Sequence, residues 1–113
     1  MADFAYLFRG GLTQGSPEEL AKNMEKWGGW MKDLGARGLF KAGEPLEAAG
    51  KVVRGTKKSI TDGPYAEAKD LVGGFMIVSA KDIAEATELA KGCPIFEHDG
   101  TVEVRPVRMM QRP

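Results

Sequence analysis

Two segments of the sequence carry apolar residues on both of their alternating faces, and this restricts what the chain can fold into. The first covers residues 3–9, with aromatic side chains on one face and Ala5 and Leu7 on the other. The second covers residues 74–80 and is bounded by Gly73 and Gly74. Successive side chains of a strand point to opposite faces, so each of these strands needs cover on both sides. The sequence therefore predicts two central strands in a layered structure.

A long amphipathic helix is predicted to begin after Ser16. The run Ser16-Pro17-Glu18-Glu19 combines an N-cap serine, a proline at the first helical position and a capping-box glutamate. Apolar residues then recur at helical spacing, at Leu20, Met24, Trp27, Met31 and Leu34. Gly28 and Gly29 interrupt this helix at a cost of about 1 kcal/mol each relative to alanine, which suggests close backbone packing or a kink.

The remaining elements complete an α+β order. They are a strand at residues 38–42, a hairpin formed by residues 51–54 and 58–61, a helix behind the capping pair Asp82 and Glu85, and a last strand at residues 101–107. The many cations of the hairpin indicate a solvated edge. The resulting order, βαββαβ with a hairpin insert, matches a ferredoxin-like α+β sandwich.

The second face of the sheet then needs a cover of its own. Both helices of a ferredoxin-like sandwich lie on one side, whereas the predicted central strands are apolar on both. A second copy of the chain, packed sheet to sheet about a two-fold axis, is the simplest cover. The sequence therefore predicts a homodimer.

Length, charge and cysteine content exclude several classes of protein. A chain of 113 residues is expected to form one domain over residues 1–113. Sixteen Lys and Arg balance sixteen Asp and Glu, so the electrostatic footprint for nucleic acid or anionic lipid is lacking. A single cysteine, Cys93, allows neither an internal disulfide nor a thiolate-rich zinc site. With no apolar run of the roughly 20 residues that span a bilayer, we expect a cytoplasmic protein that contacts no membrane.

One motif carries a family resemblance. An Asp-Gly-Pro-aromatic block at residues 62–65 is followed by Gly73-Gly74-Phe75, and at these residues the chain resembles the DGPF-type branch of the YCII-related family. The similarity extends to the Ser16 capping motif with Trp27 and Trp30, to residues 92–94 and to residues 102–106. It implies a dimeric α+β barrel.

The same resemblance implies a catalytic aspartate. In related proteins an aspartate and a histidine are proposed to form a catalytic pair, and the motif's aspartate is Asp62 here. The histidine that those relatives carry on the first helix has no counterpart in this chain, where Asn23 lies in that region. The sole histidine is His98, which can form an acid/base pair with Asp62 only if the fold brings them together. Otherwise Asp62 caps a turn and His98 is a solvated loop residue.

Four further residues are predicted to bind a ligand: Arg9, Trp30, Tyr65 and Arg105. A guanidinium can hold a carboxylate with two bonds, although Arg9 and Arg105 can equally pair with surface acids such as Glu103. Trp30 lies beside the apolar stripe and either borders a pocket or joins the core, where Trp27 and Met31 are expected. No metal or cofactor is predicted, because Glu97, His98 and Asp99 are sequence neighbours whose side chains diverge.

The sequence leaves two functions open. The first is binding of a small polar or aromatic metabolite in a cleft near Asp62, where an acid/base pair would allow cofactor-free chemistry. The second is a non-catalytic dimerisation or regulatory module in which Asp62-Gly63-Pro64 only shapes a turn. Nucleic-acid binding is disfavoured by the charge balance.

Overall fold

Six strands, two α-helices and a 3-10 helix make up the computed structural model, which describes residues 1–64, 67 and 70–110. They are β1 (Ala2–Arg9), α1 (Pro17–Ala36), β2 (Phe40–Pro45), β3 (Lys51–Arg54), β4 (Ser59–Asp62), β5 (Val72–Ala80), α2 (Ile83–Ala90), a 3-10 helix (Pro94–His98) and β6 (Thr101–Pro106). This is the predicted order of elements, with the hairpin of β3 and β4 inserted between β2 and β5.

The main sheet has four strands in the order β2-β5-β1-β6, and every neighbouring pair is antiparallel. The two strands predicted to be central, β1 and β5, are the inner pair. Strands β3 and β4 form a separate two-stranded sheet. The prediction of a ferredoxin-like α+β fold is confirmed.

The two faces of this sheet differ in their cover. Alternate residues of β1 on one face, Phe4, Tyr6 and Phe8, are buried. Both helices pack against that face, where Leu34 of α1 and Ala86 of α2 join the same core cluster. The hydroxyl of Tyr6 donates a hydrogen bond to the carbonyl oxygen of Ala86, which ties α2 to the sheet. On the opposite face the apolar side chains of the two central strands, Ala5, Leu7, Phe75 and Ile77, are only half-buried.

Helix α1 begins as its capping motif predicts. The Ser16 hydroxyl accepts a hydrogen bond from the Glu19 backbone N–H at 3.1 Å, and the Glu19 carboxylate accepts one from the Ser16 N–H at 3.3 Å. The helix continues through Gly28 and Gly29, and apart from the adjacent backbone of the helix itself no described atom lies within 4 Å of a Cβ built at either position. Close packing as the reason for these glycines was therefore wrong. None of the helices in the described part of the chain combines the length and the apolar composition that a membrane span requires.

Most predicted strands are correct to within two residues at each end, and two segments differ in kind or by more than that. Strand β2 runs from Phe40 to Pro45 rather than over residues 38–42, and it includes Gly43, where a Cβ would lie 2.9 Å from the carbonyl oxygen of Phe75. Glycine at this position therefore permits the close approach of β2 to β5. The segment after Cys93, predicted as a loop, forms a 3-10 helix that opens on Pro94 and buries Ile95.

Candidate functional site

A cleft of about 790 Å³ lies between α1, over its residues 20–31, and one end of the sheet. Helix α1 contributes one wall. The residues of that wall are Leu20, Asn23, Met24, Trp27, Gly28 and Met31. The sheet contributes Phe8, Gly43, Gly74, Phe75 and Met76. The margins are formed by Glu44 and by residues 10–13, 45–46, 48, 71, 73 and 95. The cleft is thus built from segments that are distant in sequence.

The cleft exists because the sheet carries small residues opposite an apolar helix. Gly74 pairs with Phe8 across β5 and β1, and a Cβ at Gly74 would lie 3.2 Å from the carbonyl oxygen of Glu44. With no side chain there or at Gly43, this end of the sheet leaves space beneath α1. Across this space Met24 is 75% exposed and Leu20 is 39% exposed, although both belong to the apolar stripe of the helix.

Aromatic rings form the inner wall of the cleft. The ring of Trp27 meets that of Phe8 edge to face, with a centroid distance of 5.0 Å. Trp30 lies behind them and stacks on Tyr6 at 6.2 Å, with only 18° between the ring planes. Such contacts between packed rings hold the wall in one arrangement. Trp27 therefore presents a fixed aromatic surface to whatever occupies the cleft.

The cleft carries few polar groups. Among its described lining residues, Thr13 and Asn23 have polar uncharged side chains, and Glu44 is the one ionisable residue. Ligand pockets are usually apolar spaces of about 300–1,000 Å³ with a small number of polar groups that orient the ligand. The composition and volume of this cleft match that description.

Asp62 and His98 lie outside the described lining of the cleft. Asp62 ends β4 in the two-stranded sheet, with its side chain 82% exposed and hydrogen-bonded to the Lys51 ammonium. His98 ends the 3-10 helix and is exposed. Within the described residues, no hydrogen bond joins the two side chains. Their proposed acid/base pairing stays a prediction.

The predicted ligand-binding residues occupy different surroundings. Arg9 donates a hydrogen bond at 2.7 Å to the Glu103 carboxylate, the surface pairing that the sequence offered as an alternative to ligand binding. Arg105 is exposed on β6, opposite Ala5 of β1. Trp30 joins the aromatic cluster, while Trp27, predicted as core, lines the cleft. Tyr65 lies outside the described residues.

A tyrosine and a cysteine are buried together in the core. Burial, and secondarily the nearby Cys93, raises the pKa of Tyr6 to about 12. Burial likewise raises the pKa of the Cys93 thiol to about 11. Both groups are therefore protonated near neutral pH, and neither is an activated nucleophile. In the part of the chain that the structure describes, no cluster of three or more His, Cys, Asp or Glu residues could hold a metal ion.

Sequence reasoning missed the cleft because its helix residues resemble core residues. Met31 and Trp27 belong to a regular apolar stripe, which ordinarily predicts complete burial. The available signal was on the strands, where Gly43 and Gly74 remove the side chains that such a stripe packs against. A long apolar helix face opposite strand glycines indicates a cavity.

Comparisons with known proteins support the fold. The model of the YCII-related domain matches residues 6–111. The chain is similar in structure to 5-chloro-2-hydroxyhydroquinone dehydrochlorinase from Burkholderia phenoliruptrix AC1100 in complex with 2,5-dihydroxybenzoquinone, with a TM-score of 0.57 and 18% sequence identity over 94% of this chain and 93% of that chain. No curated protein matches the sequence. At this identity the structural likeness shows a shared fold.

Proposed function

The chain belongs to the YCII-related family, and from that premise we propose that it binds a small aromatic molecule in the cleft beside α1. The cleft itself carries this proposal. Its volume of about 790 Å³ and its wall of Trp27, Met24 and Met31 fit a compact, mainly apolar ligand. Moving an aromatic ring from water onto such a surface is favourable, because apolar area is removed from water on both sides.

The polar groups of the cleft favour a ring that carries oxygen substituents. Asn23 and Thr13 can donate hydrogen bonds to a carbonyl or phenol oxygen and can also accept one. The dehydrochlorinase that shares this fold was solved with 2,5-dihydroxybenzoquinone, a single ring of that chemical type. We therefore propose hydroxylated aromatic or quinone compounds as the ligand class.

Binding is tested by placing a charge in the cleft. Met24 is mostly exposed, so Met24→Glu leaves the core intact but sets a carboxylate against the apolar wall. We expect the affinity for 2,5-dihydroxybenzoquinone, measured by isothermal titration calorimetry, to fall at least tenfold. Met109→Glu is the matched control, because Met109 is 95% exposed and lies outside the cleft. Equal affinities for both variants would contradict binding at this site.

We also propose that a second copy of the chain covers the open face of the sheet. On that face Leu7 lies opposite Phe75 and Ala5 lies opposite Ile77, so four apolar residues are adjacent across the two central strands. Both helices pack on the other face. Contiguous apolar surface of this kind is typical of a protein interface.

The association is tested by sedimentation. The wild-type chain is expected to sediment as a dimer of 12.2 kDa protomers. Leu7→Glu should sediment as a monomer, because it places a carboxylate in the proposed interface. Ile83→Glu, at an exposed position on α2, serves as the control and should stay dimeric. A monomeric wild-type chain at tens of micromolar concentration would contradict the proposal.

A further inference from the structure

Most glycines of the cleft are needed by the backbone. Gly10 and Gly11 have φ angles of +76° and +88°, which side chains rarely allow. Gly43 and Gly74 permit β2 and β5 to approach, since a Cβ at either would lie 2.9 Å or 3.2 Å from a backbone oxygen. These four glycines therefore have a structural explanation that involves no ligand.

Gly28 has no such explanation. It lies inside α1 with no positive φ, and a Cβ built there would have no described atom within 4 Å apart from its chain neighbours and the adjacent backbone of the helix itself. Glycine within a helix lowers helix stability relative to alanine. Unlike its neighbour Gly29, which shares these features, Gly28 lines the cleft. A side chain at position 28 would occupy space beside the cleft without displacing any described atom.

The neighbours of Gly28 give this space a shape. Residues three and four apart are adjacent on a helix surface, so Gly28 lies between Met24 and Met31. Both methionines line the cleft, and thioether side chains make favourable contacts with aromatic rings. The helix surface thus carries a shallow slot, with backbone at its base and methionines at its sides. A flat ring fits such a slot better than a branched aliphatic group does.

We propose that Gly28 is a specificity-determining residue, which leaves room for the second ring of a fused two-ring aromatic ligand. This inference rests on the proposed function, since it concerns the same cleft. A cavity of about 150 Å³ is sufficient for benzene, whereas this cleft has about 790 Å³. One ring held against Trp27 leaves the slot at Gly28 unfilled. The favoured class is therefore a hydroxylated naphthalene or naphthoquinone.

Two probes of the same chemistry but different size test this role. The one-ring probe is 2,5-dihydroxybenzoquinone and the two-ring probe is 2-hydroxy-1,4-naphthoquinone, with affinities measured by calorimetry. Gly28→Leu is expected to weaken binding of the two-ring probe at least tenfold and that of the one-ring probe less than threefold. Gly29→Leu, the control on the same helix, should bind both probes as the wild-type chain does. Both variants should unfold at a higher temperature than the wild-type chain, because leucine replaces glycine in a helix.

The outcomes separate this inference from the proposed function. If the wild-type chain binds the probes and Gly28→Leu binds them equally well, the role of Gly28 is wrong and the cleft remains the site. Equal losses for both ring sizes, or an equal loss in Gly29→Leu, would also overturn it. If the wild-type chain binds neither probe, the proposed function fails and this inference fails with it.

Discussion

The two ends of helix α1 face the same sheet in different ways. Near its C-terminus, Leu34 is 1% exposed and packs within the core cluster that includes Val78. Toward its N-terminus, Met24 and Leu20 continue the same apolar stripe but are 75% and 39% exposed. The helix is similar at both ends, whereas the sheet is not. Large strand residues fill one end of the layer, and glycines leave the other end open.

The apolar stripe of α1 therefore has two roles, one in stabilising the fold and one in the proposed binding of a ligand. At the filled end, apolar side chains stabilise the fold by leaving water together. At the open end, apolar side chains keep contact with water in the absence of a ligand, which makes them available for binding. The cleft therefore continues the hydrophobic core, but its apolar side chains stay accessible to solvent. Substitutions at the two ends should affect different properties.

The largest expected effect is on stability at the filled end. Leu34→Ala removes a fully buried side chain and should lower the free energy of unfolding by about 2–5 kcal/mol. Met24→Ala, in the same stripe, should change it by less than about 0.5 kcal/mol, because this side chain is mostly exposed. Urea denaturation measures both values. Similar losses for both variants would show that α1 is packed equally along its length.

The next effect is a loss of stability at alkaline pH, which sharpens the description of the filled end. Folding raises the pKa of Cys93 from 9.0 to about 11 and that of Tyr6 from 10.0 to about 12. The unfolded chain therefore releases these protons at lower pH than the folded chain does. Their stabilising contribution is complete below pH 9 and is lost as the pH rises toward 12.

Thermal unfolding followed by circular dichroism between pH 8 and pH 12 measures this loss. Tyr6→Phe with Cys93→Ala removes both titrations and should flatten the decline, although the phenylalanine also removes the hydrogen bond from the Tyr6 hydroxyl to the Ala86 carbonyl oxygen. A decline of unchanged steepness in the double variant would assign the alkaline sensitivity to other groups.

The smallest expected effect is at the sequence motif. Asp62 is exposed and paired with Lys51, and such surface pairs contribute about 0–1 kcal/mol. Asp62→Asn should therefore leave stability nearly unchanged. If the cleft alone holds the ligand, its affinity for 2,5-dihydroxybenzoquinone should also stay within twofold of the wild-type value. A tenfold loss would instead place Asp62 in the site, as the motif predicts.

Local sequence signals predicted most of the fold. The Ser16 capping motif marks the start of α1, and the apolar residues on both faces of β1 and β5 place these strands at the centre of the sheet. Each signal depends on neighbouring residues and on the geometry of one element. For that reason it can be interpreted without knowing what the element packs against.

The cleft depends on how two elements face each other, and the sequence of either element does not specify that. Trp27 was expected in the core because a helical stripe ordinarily packs along its whole length. Only the register of β5 against β1, which sets Gly74 beside Phe8, leaves the cleft unfilled next to Trp27. The Asp-Gly-Pro motif that begins at Asp62 indicates instead the end of the hairpin, where the Asp62 side chain is exposed.

The methionines provide the most direct test of the central claim, that the space beside α1 binds an aromatic ligand. The chain has six methionines. Met24, Met31 and Met76 line the cleft, whereas Met1, Met109 and Met110 line a different hollow near the chain ends. With methionine methyl groups labelled with carbon-13, titration with 2,5-dihydroxybenzoquinone should shift the first three NMR signals in a saturable manner and leave the other three in place. Saturable shifts confined to Met1, Met109 and Met110, or no shift at any methionine, would contradict the account.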